Sequence, residues 1–283
     1  MKIIFSRKGF DSSAGGVPSP ILPDGRILSL PIPRQSDICY GDLRFNGFSI
    51  GKIVQDLTKG KLTSEDRCHL DPDLRSDMLP RADGWRPIFG QRGPAARHLL
   101  EQGIAAGDIF LFFGWFRQTE IRGGTLRYLR GALGIHALFG WLQVGEMIKP
   151  GEGAPQWAAY HPHVRDDYGP SNLIFIASEE LEIGGTSCGV PGGGAFPVFR
   201  DEICLTAPYR SRSWWRLPLW LYPGEGKEPL SHHEDQSRWI VMGDHVYLRT
   251  AARGQEFVLD ADQYPESASW VAALIMTATQ HLA

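Results

Sequence analysis

The apolar residues of this chain fall into short runs cut by glycine and proline, and this punctuation constrains the fold more than any other feature. The longest runs, Ile109 to Phe113 and Trp270 to Met276, are far too short for a membrane-spanning helix. Residues 2–6, 27–30, 109–113, 135–148, 172–177, 202–206, 239–242, 245–249 and 256–259 read as strands, with Gly140 and Gly145 kinking the long one. Helical spacing is confined to about three places. Ile50, Ile53, Val54 and Leu57 recur at i, i+3, i+4 and i+7 over 49–59, between a Ser49 cap and a Gly60 stop. Residues 94–103 place proline in the first turn and glycine at the end, and 269–281 close the chain. Residues 67–93 are irregular and read as a long ordered loop. The helices do not alternate with the strands, which argues against a doubly wound parallel sheet, and no period of 20–50 residues recurs. The expectation is α+β: a curved, mainly antiparallel sheet or partial β-barrel with about three helices. It forms one domain over 1–283, with 151–155 as the sole candidate boundary.

A chain of 283 residues can bury a sizeable core without staples. Its first residues carry one short apolar run followed by charge, unlike a secretory signal. Cys39, Cys68, Cys188 and Cys204 are scattered with no C-x-x-C pair, which excludes a zinc ribbon and a disulfide framework and suits a reducing cytoplasm. The net charge of −3 is uneven, positive over the first 130 residues and negative beyond. Either this is ordinary solvated charge, or the first half builds a basic face for phosphates.

Three constellations can carry chemistry. After the first strand comes Ser6-Arg7-Lys8-Gly9-Phe10-Asp11-Ser12-Ser13-Ala14-Gly15-Gly16. A basic pair followed by small residues can wrap backbone N–H groups around a phosphate, although Walker spacing is absent. On this reading Ser6, Arg7, Lys8, Ser12, Ser13 and Gly15 bind substrate and Asp11 joins the acid/base set. The alternative is a surface turn in which Asp11 and the hydroxyls bond locally. Second, His69-Leu70-Asp71-Pro72-Asp73, His161-Pro162-His163 and His232-His233-Glu234 cluster histidine with carboxylate. Two-residue spacing on an extended chain puts both groups on one side. His69, Asp71, His161 and His163 are therefore candidate ligands of a divalent metal, and His69, Asp71, His163, His232 and His233 candidate catalytic groups, expected to converge. The bland reading is loop histidines that satisfy backbone groups. Third, tryptophan and arginine interleave at Trp115-Phe116-Arg117 and Arg212-Ser213-Trp214-Trp215-Arg216, where Trp115 and Arg117 can stack a base. Core packing is the default for a tryptophan. Cys68 beside His69 is a possible nucleophile or a buried thiol. The loop Gly189–Gly194 lacks a dinucleotide fingerprint, and no G-x-S-x-G or H-E-x-x-H occurs.

The opening Phe5 to Gly16 stretch, His69-Leu70-Asp71-Pro72-Asp73, Phe113-Gly114-Trp115-Phe116-Arg117, Gly140-Trp141-Leu142-Gln143-Val144 and Gly254-Gln255-Glu256-Phe257-Val258 resemble the third nucleotide-modification-associated domain family, over nearly the whole chain. That resemblance implies a setting of DNA-base hypermodification in phage and bacteria. Gly107-Asp108, an apolar strand and Gly140 to Val144 are also similar to PUA-like barrels of the EVE and ASCH groups, which hold a modified base in an aromatic pocket. Three functions are therefore open: an enzyme acting on a nucleotide or nucleic-acid base, a non-catalytic PUA-like reader of modified bases, and a non-haem iron oxygenase on the His-x-Asp…His pattern. The first is favoured, because reading a base needs no clustered His and Asp.

Overall fold

The computed structural model describes residues 1–149, 151–165, 169–224, 226–251 and 255–279. Its architecture is mixed α+β around a nine-stranded, mostly antiparallel sheet. Six strands run through that sheet in unbroken order. They are β1 (Lys2–Arg7), β2 (Ile88–Gln91), β3 (Ile109–Arg122), β4 (Ile135–Ile148), β5 (Leu173–Ala177) and β6 (Glu256–Asp260), arranged β6-β1-β3-β4-β5-β2. Only β1 and β3 are parallel within this path, with Arg7 beside Phe113. Ile3, Ile4 and Phe5 are fully buried, so β1 is covered on both faces, as its unbroken apolar run requires. β6, from near the other end of the sequence, pairs antiparallel with β1.

The sheet curls. Phe89 on the edge strand β2 packs at 5.1 Å from both Phe110 and Phe112 of β3, three strands away in the order. Beyond these rings, Gln91 of β2 hydrogen-bonds Glu256 of β6, joining the two edges through side chains. Among the described residues no backbone ladder joins them, so the sheet is a curl and not a closed barrel.

Three helices of eight residues or more stand where the periodicity places them: α1 (Ile50–Leu57), α2 (Gly93–Glu101) and α4 (Glu266–Thr279). The expected end of the last one, His281, lies outside the described residues, as does Gly254 of the quoted motif. A fourth, one-turn helix, α3 (Pro162–Arg165), was not expected. α1 packs with Tyr40, Leu43, Phe45, Leu70 and Met78 in a second core cluster that also takes in Leu126, on the strand paired with the end of β3.

Some expected elements differ. Residues 27–30 make only an isolated bridge, Ile21 to Ile27, and pairing resumes at Ile32–Pro33, which joins Cys68–His69. The prolines at 31 and 33 remove ladder donors there. Residues 202–206 form a 3₁₀ turn, Asp201–Ile203, followed by isolated bridges. The stretch 67–93 is mostly loop but carries Cys68–His69 and β2. Residues of the glycine loop 189–194 belong to strands, Thr186–Pro191 and Gly193–Ala195.

Candidate metal centre

His69, Asp71 and His163 come together beside β2, each offering one ligand atom, all within 4.8 Å of one another. Three local structures deliver them. His69 ends the strand Cys68–His69, held on Ile32. Asp71 sits two residues on, where its Oδ1 accepts the Gly90 N–H at 2.7 Å. His163 lies in α3, and its imidazole occupies the space above Gly90, where an added Cβ would fall 2.1 Å from the ring. Glycine is therefore required at 90 by close approach, and its N–H and its missing side chain serve two ligands at once.

The Asn172 amide sets the state of His163. Asn172 Nδ2 donates to the His163 carbonyl at 2.7 Å, which turns Oδ1 toward His163 Nδ1, also at 2.7 Å. That acceptor holds the proton on Nδ1, so the Nε2 lone pair faces Asp71 Oδ2, 3.7 Å away. A lone pair facing a carboxylate across this gap suits a cation between them. Bonds of about 2.0–2.2 Å to such a centre need only small side-chain movements.

His161 stands differently. Its Nδ1 accepts the His163 N–H at 3.3 Å, so the neutral ring carries its proton on Nε2, 3.4 Å from Asp71 Oδ1. It is thus a donor toward the carboxylate and not a fourth lone pair. The pair His161 and His163 meets Asp71 across a bend and a helical turn, not on the extended chain that their spacing suggested. Burial lowers the His69 pKa to about 4 against the pull of Asp71, and does the same at His163, so both imidazoles are neutral at pH 7. At Asp71 burial opposes ionisation, but the His161 ring 3.4 Å away, whose Nε2 makes no well-aligned hydrogen bond, and the surrounding imidazoles outweigh it and hold the pKa well below the usual range. The donor set is therefore two neutral imidazoles and one carboxylate, ready to bind a divalent ion.

The other candidates are placed elsewhere. His233 uses both ring nitrogens on backbone, Nδ1 on the Ser231 carbonyl at 2.9 Å and Nε2 on the Ala251 N–H at 3.0 Å. His232 lies against His98, ring centroids 4.5 Å apart. Neither is in the Asp71 group. In the opening loop, Asp11 Oδ1 accepts from Ser13 N, Ser13 Oγ and Ala14 N, each at 2.7 Å, so these donors serve a local Asx turn. Gly15 gives way to the Phe10 ring, where a Cβ would lie at 2.4 Å. Gly9 of this loop lines a cavity with Asp71, one of about 30 Å³, room for about one water.

Lys8, just past β1, pairs with buried Glu256 at 3.2 Å and lies 4.5 Å from the centre of Phe89, while Ser6 is fully buried within β1. The face of Trp115 is covered by Arg212 at 4.2 Å, and Arg117 stacks on Tyr128 at 5.3 Å and donates to the Leu129 carbonyl. The two therefore do not form one base clamp. Burial pushes the Cys68 thiol far up, which removes it as a nucleophile at neutral pH. Asn172 and Gly90 were not singled out from sequence; a lone Asn after Gly-Pro-Ser and a glycine in an irregular stretch carry no pattern.

Among the described residues no helix is long and apolar enough to cross a membrane. No curated protein and no solved structure matches the chain. One family model does, and it spans the strand β1, the His69-x-Asp71 segment, His163 and β6. Over residues 2–260 the sequence fits nucleotide modification associated domain 3, and the chain belongs to that family.

Proposed function

We propose that this chain is a metal-dependent enzyme of nucleotide or nucleic-acid base modification, with a divalent ion held by His69, Asp71 and His163. The observation that carries the reading is the convergence of these three donors, with Asn172 fixing the tautomer that turns an Nε2 lone pair toward Asp71. Two imidazoles and one carboxylate suit iron(II) or zinc, and three protein ligands leave coordination positions for substrate. When bound, the ion supplies a Lewis acid at that opening. The Gly90 N–H keeps Asp71 oriented, His161 stands close enough to favour its ionised form, and Asn172 keeps His163 turned inward. The acid/base roles considered for Asp11, His232 and His233 are not part of this proposal, because the polar atoms of Asp11 and His233 serve a local turn and the backbone and the His232 ring lies against His98, outside the Asp71 group. Residues 1–283 act as one unit on this reading, since strands from both ends of the chain pair in the main sheet.

A non-catalytic reader would need an open aromatic cage, and the Trp115 face that could supply one is covered by Arg212. The test is metal analysis of untagged protein, chelated and then reloaded with iron(II), zinc or manganese. About one equivalent is expected in wild type and under a tenth of that in His163→Ala and Asp71→Ala. Gly90→Ala keeps all three donors but displaces His163, and is expected to behave like His163→Ala. Substoichiometric metal in wild type, unaltered by these substitutions, would overturn the proposal.

A further inference from the structure

The positive charge of the first half of the chain gathers where α1 meets the end of β3. There β3 turns through Gly123-Gly124, both at positive φ as a two-residue hairpin loop requires, into the strand Thr125–Tyr128. Arg122 stands opposite Thr125 in this hairpin, and Glu120 opposite Arg127. The hairpin is fastened to α1, because Asp56 Oδ2 accepts the Leu126 N–H at 3.0 Å and Leu126 packs in the core cluster of that helix. Between them opens a cleft of about 690 Å³, whose lining includes Gln55, Asp56, Lys59, Thr125, Arg127 and Tyr128. Its one carboxylate is taken, since Asp56 also pairs with Lys52. Tyr128 is held in place: its hydroxyl donates to the Pro18 carbonyl, and the Arg117 guanidinium stacks on its ring at 5.3 Å. Lys59 and Arg127 are exposed, as are Lys61, Arg122 and Arg130, and among the described residues none of the five forms an ion pair. Residues 59–61 and 117–130 together hold six cations and one carboxylate, Glu120. Cations gathered round one cleft repel each other, and a row of phosphates relieves that repulsion while releasing its own counterions.

We propose that this cleft, with Lys59 on one wall and Arg127 on the other, docks the sugar–phosphate backbone of a nucleic-acid strand. A free nucleotide brings phosphate at one end only, whereas cations spread along a helix end and a hairpin match phosphates repeated along a polymer. Contacts of this kind position a strand without reading its sequence, which suits an enzyme that must bring one base of a polymer to its centre. The cleft shares a core with that centre: Ile50, Val54 and Leu57 of α1 pack in the same cluster as Leu70, the residue between His69 and Asp71. The cleft takes over the phosphate role expected of the serine-rich turn, because that turn bonds to itself. The proposal rests on the base-modification reading for the reaction to which the strand is brought, but not for the charge of the cleft.

The experiment is fluorescence anisotropy with a labelled DNA single strand of about 20 nucleotides and with its duplex, over a series of salt concentrations and with the protein chelated. Wild type is expected to bind at least one of the two. Lys59→Gln with Arg127→Gln should bind it about ten-fold or more weakly near 0.1 M salt. Losing two phosphate contacts should also make the slope of log affinity against log salt shallower, by about 1.4 on the single strand or about 1.8 on the duplex. Arg210→Gln with Arg249→Gln removes the same charge from exposed positions outside α1 and the hairpin, and should leave affinity and slope unchanged. Thermal unfolding and the metal content of reloaded protein, unchanged in the cleft pair, separate loss of docking from loss of the fold. An unchanged slope in the cleft pair, an equal loss in the control pair, or no strand bound by wild type would overturn the proposal. So would binding to phosphatidylserine vesicles in preference to both strands. Because the titration is run without metal, failure of the metal reading leaves strand docking intact. Failure of docking in protein that still holds its metal would sink this proposal alone and leave a free nucleotide as the substrate.

Discussion

Single residues here do their work through which nitrogen holds a proton. His136 accepts the Trp215 indole N–H on Nδ1 at 3.1 Å, and burial, with the charges of Arg7 and Arg212, lowers its pKa to about 3. His233, bonded to backbone on both sides, is lowered by burial to about 4. Both are neutral in the folded chain and gain a proton on unfolding below their ordinary value of 6.5. Their contribution to stability is therefore complete above pH 6.5 and is lost as the pH falls toward about 4 for His233 and about 3 for His136. Each contributes a slope of up to about 1.4 kcal/mol per pH unit in that window. Urea unfolding at pH 7.5 and pH 5 should show a marked loss at the lower pH, and His136→Gln should flatten it. Equal slopes in variant and wild type would remove His136 from the account. The sequence named His69, Asp71 and His163 because their types and spacing speak for themselves. It was silent on Asn172 and Gly90, whose value lies in one hydrogen bond and one missing Cβ, properties that exist only after the chain has folded.

Elements were legible where burial was continuous. The segment 135–148 reads as one long strand kinked at glycines, and β4 has those bounds, with register shifts between Leu138 and Gly140 and between Val144 and Glu146. β2 was not legible, being four residues with Pro87 before it and Gly90 inside, and its burial comes from strands far away in sequence. The loops that carry the site are fastened to each other by a polar clasp. Tyr160 donates to Asp73 Oδ2 at 2.6 Å and accepts from Trp85 Nε1 at 2.8 Å; Arg81 grips both Asp73 oxygens at 2.7 Å. Burial raises the Tyr160 pKa and keeps the hydroxyl protonated as a donor. Because Asp73 follows Asp71 and Tyr160 precedes His161, this clasp fixes the distance between the two ligand segments. Tyr160→Phe should lower metal affinity roughly 10–100-fold while costing only about 1 kcal/mol of stability. Arg81→Ala leaves fully buried Asp73 uncompensated, and about 3–5 kcal/mol of folding stability should be lost. Metal titration beside thermal unfolding separates the two effects; unchanged metal affinity in Tyr160→Phe would show that the clasp positions nothing.

At the scale of the whole molecule, a mostly antiparallel sheet curls until its edges meet at a charged brace. Lys8 reaches Glu256 at 3.2 Å, and Gln91 donates to the same oxygen, so β1, β6 and β2 are tied at one point. Glu256 is fully shielded and the Lys8 side chain nearly so. Taking both charges from water costs about as much as their attraction returns, so the pair contributes little net stability, whereas breaking it strands a buried charge. Lys8→Met alone should therefore destabilise the fold by about 3–5 kcal/mol. Lys8→Met with Glu256→Gln removes both charges and keeps an acceptor for Gln91, and should recover most of that loss. The same pair should move the metal site, since Gly90, whose N–H holds Asp71 and whose bare backbone seats His163, adjoins Gln91. Metal affinity should fall in the single variant and return in the double. A double variant no more stable than the sum of its parts would mean that the edges meet without depending on each other, and the curl would then owe its closure to the phenylalanine rings alone.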